Sequence, residues 1–248
     1  MRERIVSFIK DYVQKAGVDG VTLGLSGGID SALVATLAAQ AIEPSRVHCI
    51  LMPVDAKKDP HVSDAKEIAE SLGINYEMFE LKNVIKAFDP LKLEKVALGN
   101  LMARVRMVVW YAKANQNNLL VLGTGNKSEL MVGYFTKYGD GGADILPIAD
   151  LYKVNVRELA RHVKVPERIV TKVPTAGLWA GQTDEGEIGV TYDEIDTILF
   201  LHIEKGHSPD EIKSYGVDPG KVDRVLGMMA RSRHKRNLLP KTIMARNL

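Results

Sequence analysis

The sequence contains very little cysteine, and its histidines are not spaced for metal binding. Among 248 residues there are one cysteine, Cys49, and six histidines. A disulfide within the chain is therefore impossible, and a cysteine-rich metal site is excluded. No histidines show H-x-x-x-H or H-E-x-x-H spacing, so nothing indicates a zinc site. Cys49 itself lies in the apolar run "VHCILM", which predicts a buried strand.

A strong charge imbalance and a long apolar run are also absent. The 33 basic and 31 acidic residues give a net charge of +2, which does not indicate a nucleic-acid partner. The first residues, "MRERIVSFIKDYVQKAG", are charged throughout and lack the apolar centre of a signal peptide. The longest apolar helical pattern, near 31–42, is shorter than the roughly 20 residues that cross a bilayer. We therefore expect a cytoplasmic protein that binds neither nucleic acid nor membrane.

Two common phosphate-binding motifs are missing, and a different one takes their place. The chain has no G-x-x-x-x-G-K-[ST] and no G-x-G-x-x-G. Instead, Ser-Gly-Gly-x-Asp-Ser at 26–31 follows the apolar run "VTLGL" and precedes the helical pattern "SALVATLAAQAI". Glycines permit close backbone approach, and the first amides of a helix attract phosphate. The pattern predicts a phosphate-binding loop, although a simple capped turn is the alternative, since Asp and Ser are common N-caps.

Helical and strand patterns alternate along the first half of the chain. This alternation predicts an α/β protein with a doubly wound, mostly parallel sheet and helices on both faces. The sequence shows no internal repeat and no clear domain linker, so we expect a single domain over 1–248. The segments "LGLSGG" and "VLGTGN" both end predicted strands, so we expect them to face one site. The predicted helices are 2–16, 31–42, 60–72, 92–115 and one that starts near Lys127; the predicted strands are 20–25, 46–53, 75–81 and 119–123.

The second half contains two long segments with loop composition. Residues 133–147 carry four glycines and end at a proline, and 173–189 are of similar character. Loops of this length are usually functional or disordered, and the second could act as a lid. The pattern at 191–206 predicts an amphipathic helix. The last 18 residues, from Arg231, hold six basic residues and no acidic one, which by itself indicates a solvated basic tail.

Taken together, these motifs resemble those of the ammonia-dependent NAD synthetases. That family belongs to the ATP pyrophosphatases that share an S-G-G-x-D-S loop, and the resemblance implies their adenine-nucleotide alpha-hydrolase-like fold. The loop alone identifies the wider class, whereas "FTKYGDGGAD", "YDEID" and "HKR" point to this family. The matching segments are "GLSGGIDS" (24–31), "GNLMARVRM" (99–107), "LGTGNKSE" (122–129), "GYFTKYGDGGADILPI" (133–148), "VPTAGLW" (173–179), "DEGEIGVTYDEID" (184–196) and "HKR" (234–236).

The resemblance implies a two-step reaction. ATP adenylates the nicotinate carboxylate of deamido-NAD and releases pyrophosphate; ammonia then displaces AMP to give NAD. Mg²⁺ is the implied cofactor, with ATP as co-substrate. The chain leaves no room for the glutaminase domain of larger relatives, so we expect free ammonia as the nitrogen donor. Relatives form homodimers in which the deamido-NAD site is shared, so the resemblance also implies a homodimer.

The same resemblance assigns residues to ATP and the metal. Asp30 and Glu129 are the implied magnesium ligands, and with Lys153 and Asp144 they form the implied catalytic set. On sequence alone, Glu129 could equally be a favourable acid in the first turn of a helix. The implied ATP-binding residues are Gly24, Leu25, Ser26, Gly27, Gly28, Ile29, Asp30, Ser31, Thr124, Lys153 and Thr175.

A second group of residues is assigned to deamido-NAD. Asp144 is also a candidate to orient ammonium or take its proton, although a loop aspartate more often caps a turn. Arg104 and Arg106 lie two apart on one helix and face different ways, and only the motif favours Arg104. The implied deamido-NAD-binding residues are Arg104, Lys137, Asp144, His234 and Lys235.

Two alternatives remain open at this stage. The first is another ligase with the same ATP loop, either GMP-aminating or tRNA-modifying; a tRNA enzyme should carry a basic RNA-binding region or a C-x-x-C pair. The second is a nucleotide-binding module without catalysis. Such a module needs neither the acid pair Asp30 and Glu129 nor the second loop with Lys137 and Asp144.

Overall fold

Short apolar runs that end at glycine or polar loops form the centre of the fold. In the computed structural model, which describes residues 1–179 and 181–237, four strands form a parallel sheet in the order β3-β2-β1-β4. Val21 lies opposite Val47 of β2, and Gly20 lies opposite Leu119 of β4. The strands are β1 (Gly20–Gly24), β2 (Val47–Leu51), β3 (Asn75–Met78) and β4 (Leu119–Val121).

Helices cover both faces of the sheet, as the sequence predicted. One face carries α1 (Arg2–Ala16), α2 (Ile29–Ala41), α3 (Val62–Leu72) and α7 (Lys153–His162), while α5 (Lys95–Asn117) packs on β1 and β4 from the other. The remaining helices are α4 (Lys82–Lys86), α6 (Lys127–Val132), α8 (Glu167–Val170), α9 (Asp184–Ile188), α10 (Tyr192–Leu199), α11 (Pro209–Ser214), α12 (Pro219–Arg231) and α13 (Arg233–Arg236).

Two of the hydrophobic cores among the described residues are larger than the others. The larger, here called the sheet core, joins β1 and β2 to α1, α2, α3 and α7. Nearly every residue of α2 is buried within it, which explains the small side chains of "SALVATLAAQ". The smaller, here called the helical core, is built from α6, α10, α11 and α12 and includes Tyr152 and Tyr192.

Several sequence predictions are confirmed with shifted ends. The helix predicted from 31 begins at Ile29, and the strand predicted for 75–81 ends at Met78. The amphipathic pattern at 191–206 forms α10, which continues as a turn of π-helix over Phe200–Glu204. Within 1–179 and 181–237, no helix is both long and apolar enough to cross a membrane. Residues 238–248 of the predicted basic tail lie outside the described residues.

Candidate active site

The order of the strands creates a crevice at the carboxyl ends of β1 and β4. From β1 the chain proceeds outward to β2 and β3, and then returns to the opposite side at β4. Ligands of doubly wound sheets bind at such a reversal point. A cavity of about 480 Å³ lies here, between the loop after β1 on one side and α5 with the 173–187 segment on the other. The expectation that "LGLSGG" and "VLGTGN" face one site is met by Gly24 and Thr124, which both line it.

The loop after β1 is shaped by its own hydroxyl groups. The Ser26 amide donates to Ser31 Oγ at 3.2 Å, and Ser31 Oγ donates to the Gly28 carbonyl at 3.0 Å. Gly27 has φ +76°, and a Cβ there would lie 2.5 Å from the His61 carbonyl oxygen. Glycine is therefore required at this position for both conformation and space. The loop leads into the first turn of α2, whose free amides suit an anion.

The charged centre of the site brings together residues that are far apart in the sequence. Lys153 Nζ lies 2.6 Å from Asp30 Oδ2 and 3.2 Å from Glu129 Oε1, and its side chain is 2% exposed. Asp30 comes from the first turn of α2, Glu129 from α6, and Lys153 from the first residue of α7. The assignment of these three to one site is thus matched by their contact.

Local hydrogen bonds hold the two acids in place. Asn126 caps α6: its side-chain oxygen accepts a hydrogen bond from the Glu129 backbone amide at 3.0 Å. The backbone amide of Asn126 in turn donates to Glu129 Oε2 at 3.3 Å. The Asn126 side chain also donates to Asp30 Oδ1 at 2.9 Å. Asn126 therefore fixes the positions of both carboxylates. Glu129 is held in contact with the charged centre, in addition to being a favourable acid in the first turn of a helix.

Burial and neighbouring charges have the net effect of raising the pKa values of both Glu129 and Lys153. Burial raises the pKa of Glu129, and the nearby charge of Asp30 adds to it against the attraction of Lys153. Burial disfavours the charge of Lys153, but Asp30 and Glu129 outweigh this and raise its pKa. Lys153 therefore stays a charged ammonium that contacts two carboxylates. These carboxylates can also bind a further cation.

The acids are compatible with magnesium bound jointly by protein and substrate. Among the described residues, no group of three or more His, Cys, Asp or Glu side chains is arranged to hold a metal ion. Two carboxylates do converge on Lys153 Nζ, beside the phosphate loop. Magnesium typically takes one or two carboxylates and completes its shell with phosphate oxygens and water. Asp30 and Glu129 therefore fit the predicted ion, with nucleotide oxygens supplying the rest.

The cavity wall contains every residue assigned to ATP and few of those assigned to deamido-NAD. Of the latter group only Lys235 lines it. The residues of the ATP set that line the cavity are Gly24, Leu25, Ser26, Gly27, Gly28, Ile29, Asp30, Ser31, Thr124, Lys153 and Thr175, and Glu129 joins them.

The other residues assigned to deamido-NAD lie outside the cavity wall. Arg104 and His234 are exposed. Lys137 donates to the His234 carbonyl at 2.7 Å. Asp144 is exposed at the sheet edge, where it accepts the Val121 amide at 2.8 Å and the Tyr111 hydroxyl at 3.0 Å. Within one chain, then, this set borders the site without closing around it.

The structure adds side chains that the sequence reasoning did not single out. Arg106 lines the cavity and donates to the Met52 carbonyl at 3.2 Å, although the motif favoured its neighbour Arg104. Lys172 also lines it; its Nζ lies 2.6 Å from Asp64 Oδ2 and 3.2 Å from the Gly27 carbonyl. The sequence around these two residues is apolar or loop-like and does not indicate a role in the site. The one indication is that Lys172 directly precedes "VPTAGLW".

Two tyrosines and one aspartate close the far side of the charged centre. The Tyr192 hydroxyl lies 3.0 Å from Asp184 Oδ2 and 3.3 Å from Glu129 Oε1, and its ring faces Lys153 Nζ at 4.8 Å. The Tyr134 hydroxyl donates to Glu187 at 2.7 Å. Burial is the main cause that raises the pKa of both phenols, and the nearby acids raise it further. Each phenol therefore keeps its proton.

Known proteins are similar to this chain over almost its whole length. Curated relatives include chains named NH(3)-dependent NAD(+) synthetase from Archaeoglobus fulgidus and Pyrococcus horikoshii. The first is 50% identical over 241 residues, covering 96% of this chain and 94% of the relative. The second is 44% identical over 240 residues, covering 95% and 93%.

Solved structures and a family profile agree with those relatives. An NMN synthetase from Francisella tularensis superposes with a TM-score of 0.87 at 37% identity, covering 98% of this chain and 97% of that one. An NH3-dependent NAD synthetase from Campylobacter jejuni, in complex with nitrate, gives 0.83 at 32% identity with the same coverage. The profile described as NAD synthase matches residues 1–239. On the sequence, the fold and the site together, this chain belongs to the NAD synthase family.

Proposed function

We propose that this chain is an ammonia-dependent NAD synthetase, a ligase that amidates deamido-NAD at the expense of ATP. The observation that carries the proposal is the meeting of Asp30, Glu129 and Lys153 beside the phosphate loop. A carboxylate is a poor acyl donor, and adenylation gives it a good leaving group. The site is suited to that step because it can hold a triphosphate in line with the attacking carboxylate and balance its charge.

The proposed roles follow the position of each side chain. The loop amides of 26–31 bind phosphate oxygens, and Lys153 balances charge on the side of Asp30 and Glu129. Bound magnesium would neutralise the triphosphate and polarise the reacting phosphorus. Thr124 and Thr175 line the nucleotide cavity and are proposed ATP contacts. Arg106 and Lys172 are additional cations on the same wall.

For deamido-NAD we propose the basic set at the rim. Lys235 is half-buried at the cavity, where its Nζ donates to the carbonyls of Gly133 and Phe135 at 2.7 and 2.6 Å. Arg104, Lys137, His234 and Asp144 are proposed to complete this site. The homodimer is proposed on the resemblance alone. The single domain over 1–248 and the cytoplasmic location are proposed from the sequence.

An assay with competing acceptors tests the proposal. Purified protein is mixed with ATP, Mg²⁺ and ammonium, and AMP and pyrophosphate are measured with each acceptor. We expect AMP only with deamido-NAD, and NAD as the second product. AMP formation with a GMP precursor or tRNA supports the other ligases instead, and tight ATP binding without turnover supports the non-catalytic module. Glutamine in place of ammonium should give no NAD.

A mononucleotide acceptor is a second candidate, because one similar structure is described as an NMN synthetase. The assay therefore includes nicotinate mononucleotide beside deamido-NAD. The dinucleotide offers an additional adenylate with its own phosphate, which the basic rim at Lys235 can bind. We expect the dinucleotide to have the higher kcat/KM. The reverse preference would assign the chain to mononucleotide amidation.

A further inference from the structure

A buried carboxylate oxygen at the cavity wall has no hydrogen-bond donor. Asp184 is 5% exposed and lines the cavity. Its Oδ2 lies 3.0 Å from the Tyr192 hydroxyl, whereas its Oδ1 has no donor among the residues that the structure describes. Leaving a buried acceptor without a donor is costly, and in native proteins such an atom usually receives a ligand, water or ion. We therefore expect a substrate of the reaction to donate a hydrogen bond to Asp184 Oδ1.

The surroundings of Asp184 favour a small cation. Asp30, Glu129 and Asp184 lie near a single ammonium group, Lys153, and that group is already shared by the first two. Glu187 lies next to this cluster through the Tyr134 hydroxyl. Among the described residues around Lys153, the acids thus outnumber the ammonium. The other cations of the cavity wall have partners elsewhere: Lys172 bonds to Asp64, and Arg106 and Lys235 bond to backbone carbonyls. The local potential beside Asp184 therefore attracts cations.

The phenol of Tyr134 supplies a further acceptor beside Asp184. Tyr134 lines the cavity, and its hydroxyl donates its proton to Glu187 at 2.7 Å. A phenol oxygen that donates its proton still has a lone pair to offer. The same hydroxyl lies close enough to Asp184 to affect the pKa of that carboxyl. The Asp184 carboxylate and the Tyr134 oxygen therefore offer hydrogen-bond acceptors to a ligand in the cavity.

We infer that Asp184, with the hydroxyl oxygen of Tyr134, binds the ammonium ion that supplies the amide nitrogen. This inference rests on the proposed function. Ammonium carries four donors and one charge, which matches an acceptor niche better than magnesium does; magnesium needs six ligands and keeps several waters. The position also differs from that of Asp144, the earlier candidate, which is exposed and already bonded to Val121 and Tyr111.

Asp184 is placed to take a proton from the bound ammonium before nitrogen attacks the adenylate. Bound ammonium gives one proton to the Asp184 carboxylate, and the freed nitrogen lone pair forms a bond to the acyl carbon of the adenylate. The tetrahedral intermediate then collapses: the bond from the acyl carbon to the AMP oxygen breaks, and AMP leaves with that electron pair. The nitrogen loses a second proton to solvent, and Asp184 returns its proton to solvent. Burial raises the pKa of Asp184, which helps it to take a proton from ammonium.

The decisive measurement is the KM for total ammonium at two pH values, with ATP, Mg²⁺ and deamido-NAD saturating. If the wild type binds ammonium, its KM should be the same at pH 7 and pH 8. Asp184→Asn should raise the KM about tenfold or more, as expected for a lost charge-assisted hydrogen bond. Because this variant must use free ammonia, its KM should also fall about tenfold from pH 7 to pH 8.

A matched control and two further variants complete the test. Asp196 is also 5% exposed, but the Ser128 hydroxyl and the Val154 amide occupy its oxygens. Asp196→Asn should lower stability and leave the ammonium KM within about twofold. Asp184→Glu should retain a pH-independent KM. Tyr134→Phe should give a smaller increase than Asp184→Asn, and it serves as the test if Asp184→Asn does not fold.

Three results would overturn the inference. A wild-type KM that follows the concentration of free ammonia shows that ammonium is not the bound species. An unchanged ammonium KM in Asp184→Asn, together with a higher magnesium requirement, makes Asp184 a metal ligand. Equal increases in the KM for ammonium and ATP indicate a structural role. Failure of the wild type to amidate deamido-NAD would instead refute the proposed function, so the two failures are distinguishable.

Discussion

The sheet core and the helical core contribute to the site in different ways. The sheet core is almost entirely aliphatic and presents backbone: a glycine loop and the first turn of α2. The helical core includes two tyrosines and presents side chains, among them Glu129 on α6 and the hydroxyl of Tyr192 on α10. Lys153 lies where they meet and contacts an acid from each. The charged centre therefore forms only when both cores are folded and packed together.

Replacing either of the acids that contact Lys153 should have the largest effect on turnover. Asp30→Asn and Glu129→Gln are each expected to lower turnover by orders of magnitude while the circular dichroism spectrum stays unchanged. The physical reason is that each carboxylate is a proposed magnesium ligand, and a triphosphate beside the remaining acid is repelled without the ion. Turnover is measured as AMP release across a magnesium titration. Near-normal activity at moderate magnesium would show that the substituted acid is not a ligand.

Breaking the contact between the cores should also cost stability. Lys153→Met leaves Asp30 and Glu129 buried without their shared cation, and we expect a loss of about 3–5 kcal/mol in the free energy of unfolding. Lys127→Met is the matched control, because Lys127 also has two acidic partners, Asp150 and Glu204, but these are 93% and 38% exposed. Urea unfolding should show a much smaller loss for Lys127→Met. Equal losses would mean that burial at Lys153 is unimportant.

The basic rim should affect one substrate more than the other. His234→Ala with Lys235→Ala should raise the KM for deamido-NAD about tenfold to hundredfold, which corresponds to one lost charge-assisted hydrogen bond. The KM for ATP should change little, because the residues proposed to contact ATP are a different set, which includes the phosphate loop, Lys153 and Thr175. Steady-state kinetics with each substrate varied in turn give both constants. Equal increases would place these residues in a general structural role, since Lys235 also bonds to backbone carbonyls.

The smallest expected effect is at Cys49, which reports on the sheet core. Cys49 is buried in β2, and burial raises the pKa of its thiol from 9.0 to about 12. A thiol reagent at pH 8 should therefore not label the folded protein, and labelling should follow urea unfolding of the sheet core. The unfolded thiol ionises near 9 and the folded one near 12, so this group lowers stability as the pH rises through that window. Rapid labelling without urea would show that the sheet core opens locally.

The sequence by itself determined the architecture and the position of the predicted phosphate-binding loop after β1. Alternating strand and helix patterns gave a parallel sheet because strand and helix periods differ and are local properties. The phosphate loop was equally visible, since glycine at Gly27 and polar residues at Ser26 and Asp30 are needed within a few positions of one another. Element ends were less exact, as at Ile29 and Met78, because capping and pairing with neighbours decide them.

Only the tertiary structure decided which distant side chains meet. Nothing in the sequence places Asn126 between Asp30 and Glu129, or leaves one oxygen of Asp184 without a donor among the described residues. Asp144 and Asp184 are alike as loop or helix-start acids in the sequence, yet one is bonded at an exposed sheet edge and the other is buried at the cavity wall. Burial and hydrogen-bond partners depend on how elements pack across long sequence separations, and this packing sets the charge and chemistry of each acid.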